Sequence, residues 1–471
     1  MTRKFDSVVV GAGPAGMSAA IRMSGLGLSV LVVDEQPTPG GQIWRAAEAV
    51  AETRIGALLG NEYRAGAEVI ARFRSCGAVY EPDSQVWQIE PGWRVFIKRG
   101  GQVEAVSADH IVIATGAQER PAPFPGWELP GILTVGAAQI LLKTSGQVPS
   151  DPVWVAGSGP LPLLYMAQLL RAGGKIAGWL DTSPRNGWRH ALPWVGTALL
   201  ELSEIRKGIG WMREIRRGGV PRFRGVTSLR AHGVGRLQEL EFTQLGQGAR
   251  RVDATVLLSH EGVVPSIHMA QALGCTNRWD AQQACLAPVL DEWGQSTVKG
   301  VYVAGDGAGI GGAMVACIRG ELVGLGIALH GGKIKPSTSA SDAMPLRVQL
   351  HKLLRLRPML DMLYPPRVEI SSPSDDTIVC RCEELTAGDI RKACAIGSPG
   401  INQIKALTRA GMGPCQGRQC GYTVANIVAS AKGQNVSEVG FYRVRPPLKP
   451  LTLGELATMS SEEESSKARY L

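Results

Sequence analysis

A long uncharged apolar run is missing near the end of the nucleotide fold, where Gly307–Ile318 is too short and too rich in glycine to cross a bilayer. Its first residues, Met1-Thr2-Arg3-Lys4, lead straight into a strand, without the apolar core or small-residue cleavage site of a signal peptide. The expected location is therefore the cytoplasm. Nine cysteines, an odd number unevenly spread, exclude a disulfide framework. No Cys-x-x-Cys pair occurs, so a redox dithiol beside a cofactor is missing too. The formal charge is +9, yet there is no basic-aromatic platform and no zinc-finger spacing, which argues against nucleic acid. Much of the basic excess falls in Arg185–Arg230 and Arg347–Arg367 and reads mostly as solvated surface. None of the seven histidines presents itself as a base; His260 and His268 read as packed or surface residues. No catalytic acid or base is assigned.

What is abundant is glycine, 59 residues in 471. It is most informative in Ser7–Glu35, where an apolar run ends in Gly11-Ala12-Gly13-Pro14-Ala15-Gly16, a small-residue helix follows, and a second apolar run closes on Asp34-Glu35. Gly11 permits the tight turn, Gly13 admits a pyrophosphate to backbone N–H groups, and Gly16 lets helix pack on strand. Pro14 is tolerated in the first helical turn. An acid about 20 residues downstream takes ribose hydroxyls, and Asp34 or Glu35 holds that place. The spacing predicts a dinucleotide fold.

Further on, Gly40-Gly41-Gln42 forms a turn whose backbone can approach a ring system. Helical pattern covers 46–76, strands are expected at 86–90 and 94–98, and Gly100-Gly101 turns a hairpin towards a strand at 111–114 that ends in Thr115-Gly116. A second, degraded copy begins at Pro152: strand, Gly157-Ser158-Gly159, helix, strand and Asp181, with Pro160 and Pro162 crowding the turn. Gly157, Gly159 and Asp181 are its candidate nucleotide contacts, and Asp181 favours a free 2′-hydroxyl. Residues 182–250 are poorly patterned. A strand at 301–304 then delivers Gly305-Asp306 to a small-residue helix, where the aspartate suits the ribitol hydroxyls of FAD; capping that helix is the plainer role. Lys333–Pro345 reads as a linker, Leu346–Leu363 as an amphipathic docking helix broken at Pro358, and Ser371–Asp376 as a second linker.

The last region holds Cys380-x-Cys382 and, 32 residues on, Cys415-x4-Cys420. Four thiolates suit zinc or an iron–sulfur cluster, and the one-residue gap leans away from structural zinc. Arg381, Arg409 and Arg418 and the glycines at 411, 413, 417 and 421 can lend charge and N–H groups to sulfur. Cys394, between the pairs, reads as a buried small apolar residue.

The Cys-x-Cys…Cys-x4-Cys pattern is similar to the bacterioferritin-associated-ferredoxin-like (BFD-like) 2Fe–2S domain, and the front 330 residues resemble a two-dinucleotide-binding flavoprotein. Together with VVDEQPTPGGQIWR, TRAGMGPCQGRQC and RVRPPLKPLTLGELA, nearly the whole chain resembles the FAD-binding α subunits of multi-subunit amine dehydrogenases. These include D-hydroxyproline dehydrogenase, opine oxidase, hydrogen cyanide synthase, dye-linked proline dehydrogenase and heterotetrameric sarcosine oxidase. The implied fold is α/β, Rossmann-like, of glutathione/thioredoxin-reductase type, with a small helical C-terminal 2Fe–2S domain. The expected division is an FAD domain (1–122 and 266–335), a second nucleotide-binding-like domain (123–265), a linker and docking helix (336–376), a BFD-like domain (377–432) and a tail (433–471).

The resemblance implies FAD at Gly11, Gly13, Pro14, Ala15, Gly16, Asp34 or Glu35, Gly41, Gln42, Thr115, Gly116, Gly305 and Asp306, and 2Fe–2S at Cys380, Cys382, Cys415 and Cys420. It implies a sarcosine-oxidase-like or amino-acid-oxidase-like flavoprotein β subunit that oxidises the amine, a small γ subunit in some members, and in some an FMN at the subunit interface. The second nucleotide site holds NAD, ATP or nothing across the family. The electron acceptor is not specified; through it the chain can sit peripherally at the inner membrane. A flavin takes two electrons and releases them singly, a 2Fe–2S centre takes one, and an electron-transfer subunit needs both. Two other readings stand beside this one. An NAD(P)H-dependent flavin reductase needs an intact second fingerprint. An iron–sulfur storage or sensor module needs no FAD signature.

Overall fold

The computed structural model describes residues 3–397 and 400–459; the end of the expected tail, 460–471, lies outside them. The opening apolar run is the strand Lys4–Val10, paired in parallel with Val30–Val33 on one side and Gln102–Ile113 on the other. Its side chains alternate between two buried faces. Val9, Val32 and Val112 share one core with the helix Pro14–Gly25, while Val8, Val10, Leu31, Ile111 and Ile113 fill the other. Burial on both faces is why these strands read as continuous apolar runs.

The strand expected at 111–114 begins much earlier, at Gln102, because it serves two partners. Its first half pairs antiparallel with Arg94–Arg99, and its last residues pair in parallel with Val301–Val303. Seven strands form this sheet, drawn from residues 4–113 and 301–303. The helix Ala313–His330 then crosses Pro14–Gly25 at very short range: a Cβ on Gly320 would stand 2.1 Å from the Ala15 carbonyl oxygen. Ala313–His330 is the one described helix long and apolar enough to span a membrane; here its apolar side chains are mostly buried in this core.

A second, five-stranded parallel sheet runs Arg222–Arg224, Ile176–Asp181, Val153–Gly157, Leu257–His260, Ile132–Thr134. Pro160 and Pro162 both fall in the first turn of its helix Pro160–Arg171, where no intrahelical N–H is needed, so the degraded copy still folds. The poorly patterned 182–250 contains the helix Leu202–Arg217 and a three-stranded antiparallel sheet, Val226–His232, Glu239–Gln244 and Ala249–Asp253. The two larger sheets are joined where Ala117–Glu119 pairs antiparallel with Val263–Pro265.

The linker expected at 333–345 is a helix instead, Pro336–Leu354. Pro336 starts it, and Ser339 and Ala343 are small enough to bury against Ala313–His330. Arg22 reaches Asp342 at 3.6 Å and Arg347 reaches Glu292 at 2.6 Å. Pro345 is carried inside it, and the break comes before the short helix Arg357–Leu363. Ser371–Asp376 is not free either: Arg391 pairs with Asp375, and Arg230 with Asp376.

Candidate functional site

The parallel strands of the seven-stranded sheet end at one edge, and the expected flavin contacts gather there. Gly11, at φ 107°, lies so close to the neighbouring strand that a Cβ would meet the Ala114 carbonyl oxygen at 2.5 Å. A Cβ on Gly16 would be 1.8 Å from the Gly11 carbonyl oxygen. Pro14 opens the helix, and Ala15 packs its methyl against Gly305. The Gly40–Gly41 turn folds over this first turn, with room for no side chain on Gly41, whose Cβ would lie 2.9 Å from the Gly13 Cα. This is a cradle of backbone N–H groups at a helix N-terminus, at the carboxyl ends of parallel strands.

The two candidate acids separate. Asp34 turns in: its Oδ2 accepts from the Ala12 N–H at 2.5 Å and its Oδ1 from the Gln36 N–H at 2.7 Å. Burial pushes its carboxyl above the usual range, against the pull of those two donors. Glu35 turns out and pairs with Lys449 at 2.8 Å. On the far side, the carbonyl of Gly116, at φ 66°, accepts from the Ser266 N–H, and the Thr115 hydroxyl donates to the Ser266 carbonyl. Asp306 sits in the single turn Gly305–Ala308, its Oδ1 accepting from the N–H groups of Gly311 and Gly312. It therefore braces the loop into Ala313–His330, and Arg319 from that helix donates to the carbonyls of Gly305 and Gly309.

Lys143 carries no sequence signal, yet it is buried beside this crevice. From the helix Val135–Ser145 its Nζ donates to the carbonyls of Gln42, at 3.2 Å, and Ile43, at 3.0 Å. Burial, and secondarily Arg45, push its pKa down to about 7. A folded value below the unfolded 10.5 means stability is greatest above that value and is lost as pH falls towards 7, by up to about 1.4 kcal/mol per pH unit. Lys143→Met should flatten the rise of melting temperature between about pH 7 and 10; an unchanged slope would assign it to other groups.

In the second fold Asp181, 1 % exposed, accepts from Arg222 at 2.6 and 2.9 Å and from Ser183. His260 is packed, 2.7 Å from Glu119, whose other oxygen takes the Gly136 N–H.

The four cysteines come together in two pairs. Cys380 is linked to Cys420 and Cys382 to Cys415 by thiol hydrogen bonds, and Cys380 also acts electrostatically on Cys382, as Cys415 does on Cys420. Among the described residues no three His, Cys, Asp or Glu side chains form a single-ion site. Cys380 ends a short strand, Ile378–Cys380, and Cys420 precedes the helix Gly421–Lys432. The Cys420 thiol, then the N–H groups of Gly411, Glu383 and Cys382, hold the Cys380 pKa down to about 6. Gly411 lends its N–H to the Cys380 sulfur, as expected, and the surrounding glycines also answer packing demands. A Cβ on Gly413 would strike Cys382 at 2.2 Å, those on 411 and 417 would enter the Tyr442 ring, and that on 421 the Phe441 ring. The arginines are engaged elsewhere: Arg409 with Glu383, Arg381 over Trp127, Arg418 on the carbonyls of Leu448 and Pro414. Cys394 is half-buried rather than buried.

The cysteine region abuts the flavin-type crevice. Gln118, two residues past Gly116, donates through Nε2 to the Arg418 carbonyl at 3.0 Å, two residues before Cys420. The tail straps the two together: Leu448 N–H reaches the Trp87 carbonyl at 2.7 Å, and Lys98 pairs with Glu455. Neither contact has a signature in the sequence.

The pyridine nucleotide-disulphide oxidoreductase model matches residues 5–320, and the sarcosine oxidase A3 domain model matches 374–460. The opine oxidase A subunit of Rhizobium meliloti (strain 1021) is 40% identical over 97% of this chain and 99% of its own. Hydrogen cyanide synthase subunit HcnB of Pseudomonas aeruginosa is 30% identical over 97% and 99%. The sarcosine oxidase alpha subunit of Rhizobium meliloti (strain 1021) is 25% identical, matching 96% of this chain but 42% of that longer one. Among solved structures, L-proline dehydrogenase from P. horikoshii shares the fold, with a TM-score of 0.69 at 20% identity over 97% of this chain and 80% of that one. With its flavin-type crevice and these relatives, the chain belongs to the pyridine nucleotide-disulphide oxidoreductase family, alongside the opine oxidase A and HcnB subunits, and is an FAD-dependent oxidoreductase.

Proposed function

We propose that this chain is the electron-relaying subunit of a heteromeric amine or imino-acid dehydrogenase, with a partner flavoprotein subunit oxidising the C–N bond. The substrate class is that of opine-, hydroxyproline-, proline- or glycine-type compounds. The observation that carries the reading is the Gln118–Arg418 contact, which sets the FAD crevice directly against the four-cysteine site. Bound there, FAD would exchange electrons in twos or singly and a 2Fe–2S cluster singly, which is the chemistry a relay needs.

The residues fit both groups. The Gly11–Gly16 cradle suits a ligand that approaches bare backbone; Asp34 holds its Ala12 N–H, and Asp306 braces the loop that follows Gly305. Four thiols within mutual electrostatic reach suit a 2Fe–2S cluster, which four cysteines hold. Tyr442 and Phe441 cover the cysteine loop and exclude water from its inner side. An interfacial FMN has a candidate berth in an open cleft of about 720 Å³. Trp279 and Phe441 offer ring faces there, Arg443 and Arg445 offer cations, and the buried amide oxygens of Gln271 and Asn277 lack partners.

Purified whole, the chain should contain one FAD and two irons, with a 2Fe–2S EPR signal after reduction. It should bleach with an amine substrate only when the partner subunit is present. One zinc without iron would overturn the cluster, and amine oxidation by the chain alone would overturn the division of labour.

A further inference from the structure

The two glycine turns of this chain follow the same sequence order but differ in backbone, Gly13 standing at φ −75° and Gly159 at φ 105°, and in what lies over them. Gly11 and Gly13 keep part of their surface open, whereas Gly157, Ser158 and Gly159 are all buried. The first turn is faced by another glycine, Gly41, which brings no side chain over it. The second is faced by a tyrosine: a Cβ on Gly159 would lie 3.9 Å from the Cβ of Tyr364. Tyr364 directly follows the helix Arg357–Leu363, and the same segment crosses Gly187, whose Cβ would be 3.4 Å from the Leu363 carbonyl oxygen.

We infer that residues 357–367 permanently occupy the second dinucleotide cleft, so that this chain takes neither a pyridine nor an adenine nucleotide there. The segment is held to the rest of the protein, most firmly at its second end. Asp361, paired within the segment with Arg357, receives the Gln283 amide at 3.5 Å. At the other end Arg367, 6 % exposed, meets Glu261, 2 % exposed, at 2.5 Å, and its backbone N–H donates to the same carboxylate. Breaking a buried pair of that kind leaves an uncompensated charge inside the protein, so the segment does not lift off easily.

The acid of this copy, Asp181, is held by a cation, where Asp34 of the first copy is held by backbone N–H groups. Both Asp181 oxygens are taken, one by the Arg222 guanidinium and one by Ser183, and Arg222 is itself stacked 4.1 Å from the Trp179 ring centroid. The phenol of Tyr364 lies within the electrostatic reach of both Asp181 and Arg222. An entering nucleotide would have to displace Tyr364 and also strip Arg222 from Asp181. The cleft thus keeps its Rossmann geometry as architecture, with a piece of its own chain where a cofactor sits in a working copy.

The test uses the full FAD-loaded chain. Calorimetric titration with NADH, NADPH, ADP and ATP should show no saturable binding tighter than about 1 mM. Hydrogen exchange at 157–163 should be slow, unchanged by these nucleotides, and at least about tenfold faster in Tyr364→Ala with FAD content retained. Saturable binding whose exchange footprint falls on 157–163 would overturn the inference, as would unchanged exchange in Tyr364→Ala. A footprint elsewhere leaves the cleft closed and the inference standing. Loss of FAD in the variant would transfer the decision to the wild-type arms, which do not depend on it.

Discussion

Gly16→Ala should cost the chain its FAD and most of its soluble yield, while Gly25→Ala, at the end of the same helix, should cost nothing. The chemical change is identical, one methyl group. At position 16 that methyl would lie 1.8 Å from the Gly11 carbonyl oxygen and 3.2 Å from Val9 Cγ1. Neither neighbour can yield, because Gly11 is pinned by its N–H to Val33 and Val9 is paired on both sides, with Val32 and Val112. The helix must move off the sheet, breaking the cradle and its crossing with Ala313–His330 together. Overpacking costs about 1–3 kcal/mol, and a clash with fixed backbone stands at the upper end of that range. At position 25 nothing lies within 4 Å, and replacing a helical glycine by alanine gains roughly 0.5–1 kcal/mol. Thermal denaturation with flavin release measured by fluorescence checks both; equal melting temperatures for the two variants would contradict the packing argument.

Cys420→Ser should abolish the iron signal and leave FAD at full occupancy, whereas Cys394→Ser should leave both. Cys420 is 1 % exposed, pairs with Cys380 and sits at the head of Gly421–Lys432, so a serine there cannot be replaced by a sulfur from elsewhere. Cys394 lies on the helix Ala387–Ala395, and no hydrogen bond joins it to the four. Iron analysis and EPR on both proteins decide it. Full iron in Cys420→Ser, or lost iron in Cys394→Ser, would redraw the ligand set.

The flavin crevice is legible in the sequence because it is made locally. Turn, helix and acid follow one another within residues 7–35, and Gly11 and Gly16 answer steric demands that the structure displays. The choice between Asp34 and Glu35 is not legible, since it depends on Lys449 drawing Glu35 outward from more than 400 residues away. The stretch 333–345 looks like a linker for a related reason. Serine, threonine and alanine have linker composition, but beside a glycine-bearing helix they are the residues small enough to pack. The need for glycine around the cysteines is legible and its purpose only in part, because Phe441 and Tyr442 reach those glycines from beyond the motif. Lys143 and Tyr364 owe their settings wholly to tertiary contact, and nothing adjacent to either announces it.

The split of the first sheet has a consequence for biosynthesis. Val301–Val303 is laid beside Ile111–Ile113, and Ala313–His330 closes over Pro14–Gly25, so the crevice is incomplete until the ribosome has passed residue 330. At about 5–20 residues per second, the nascent glycine turn waits about 15 to 60 s for its last wall. During that interval the exposed edge of Gln102–Ile113 is a site for mispairing, and a chaperone or early flavin capture would have most to protect there. The closing strap arrives later still, when Leu448 reaches Trp87, making attachment of the cysteine region one of the last events in the chain's maturation.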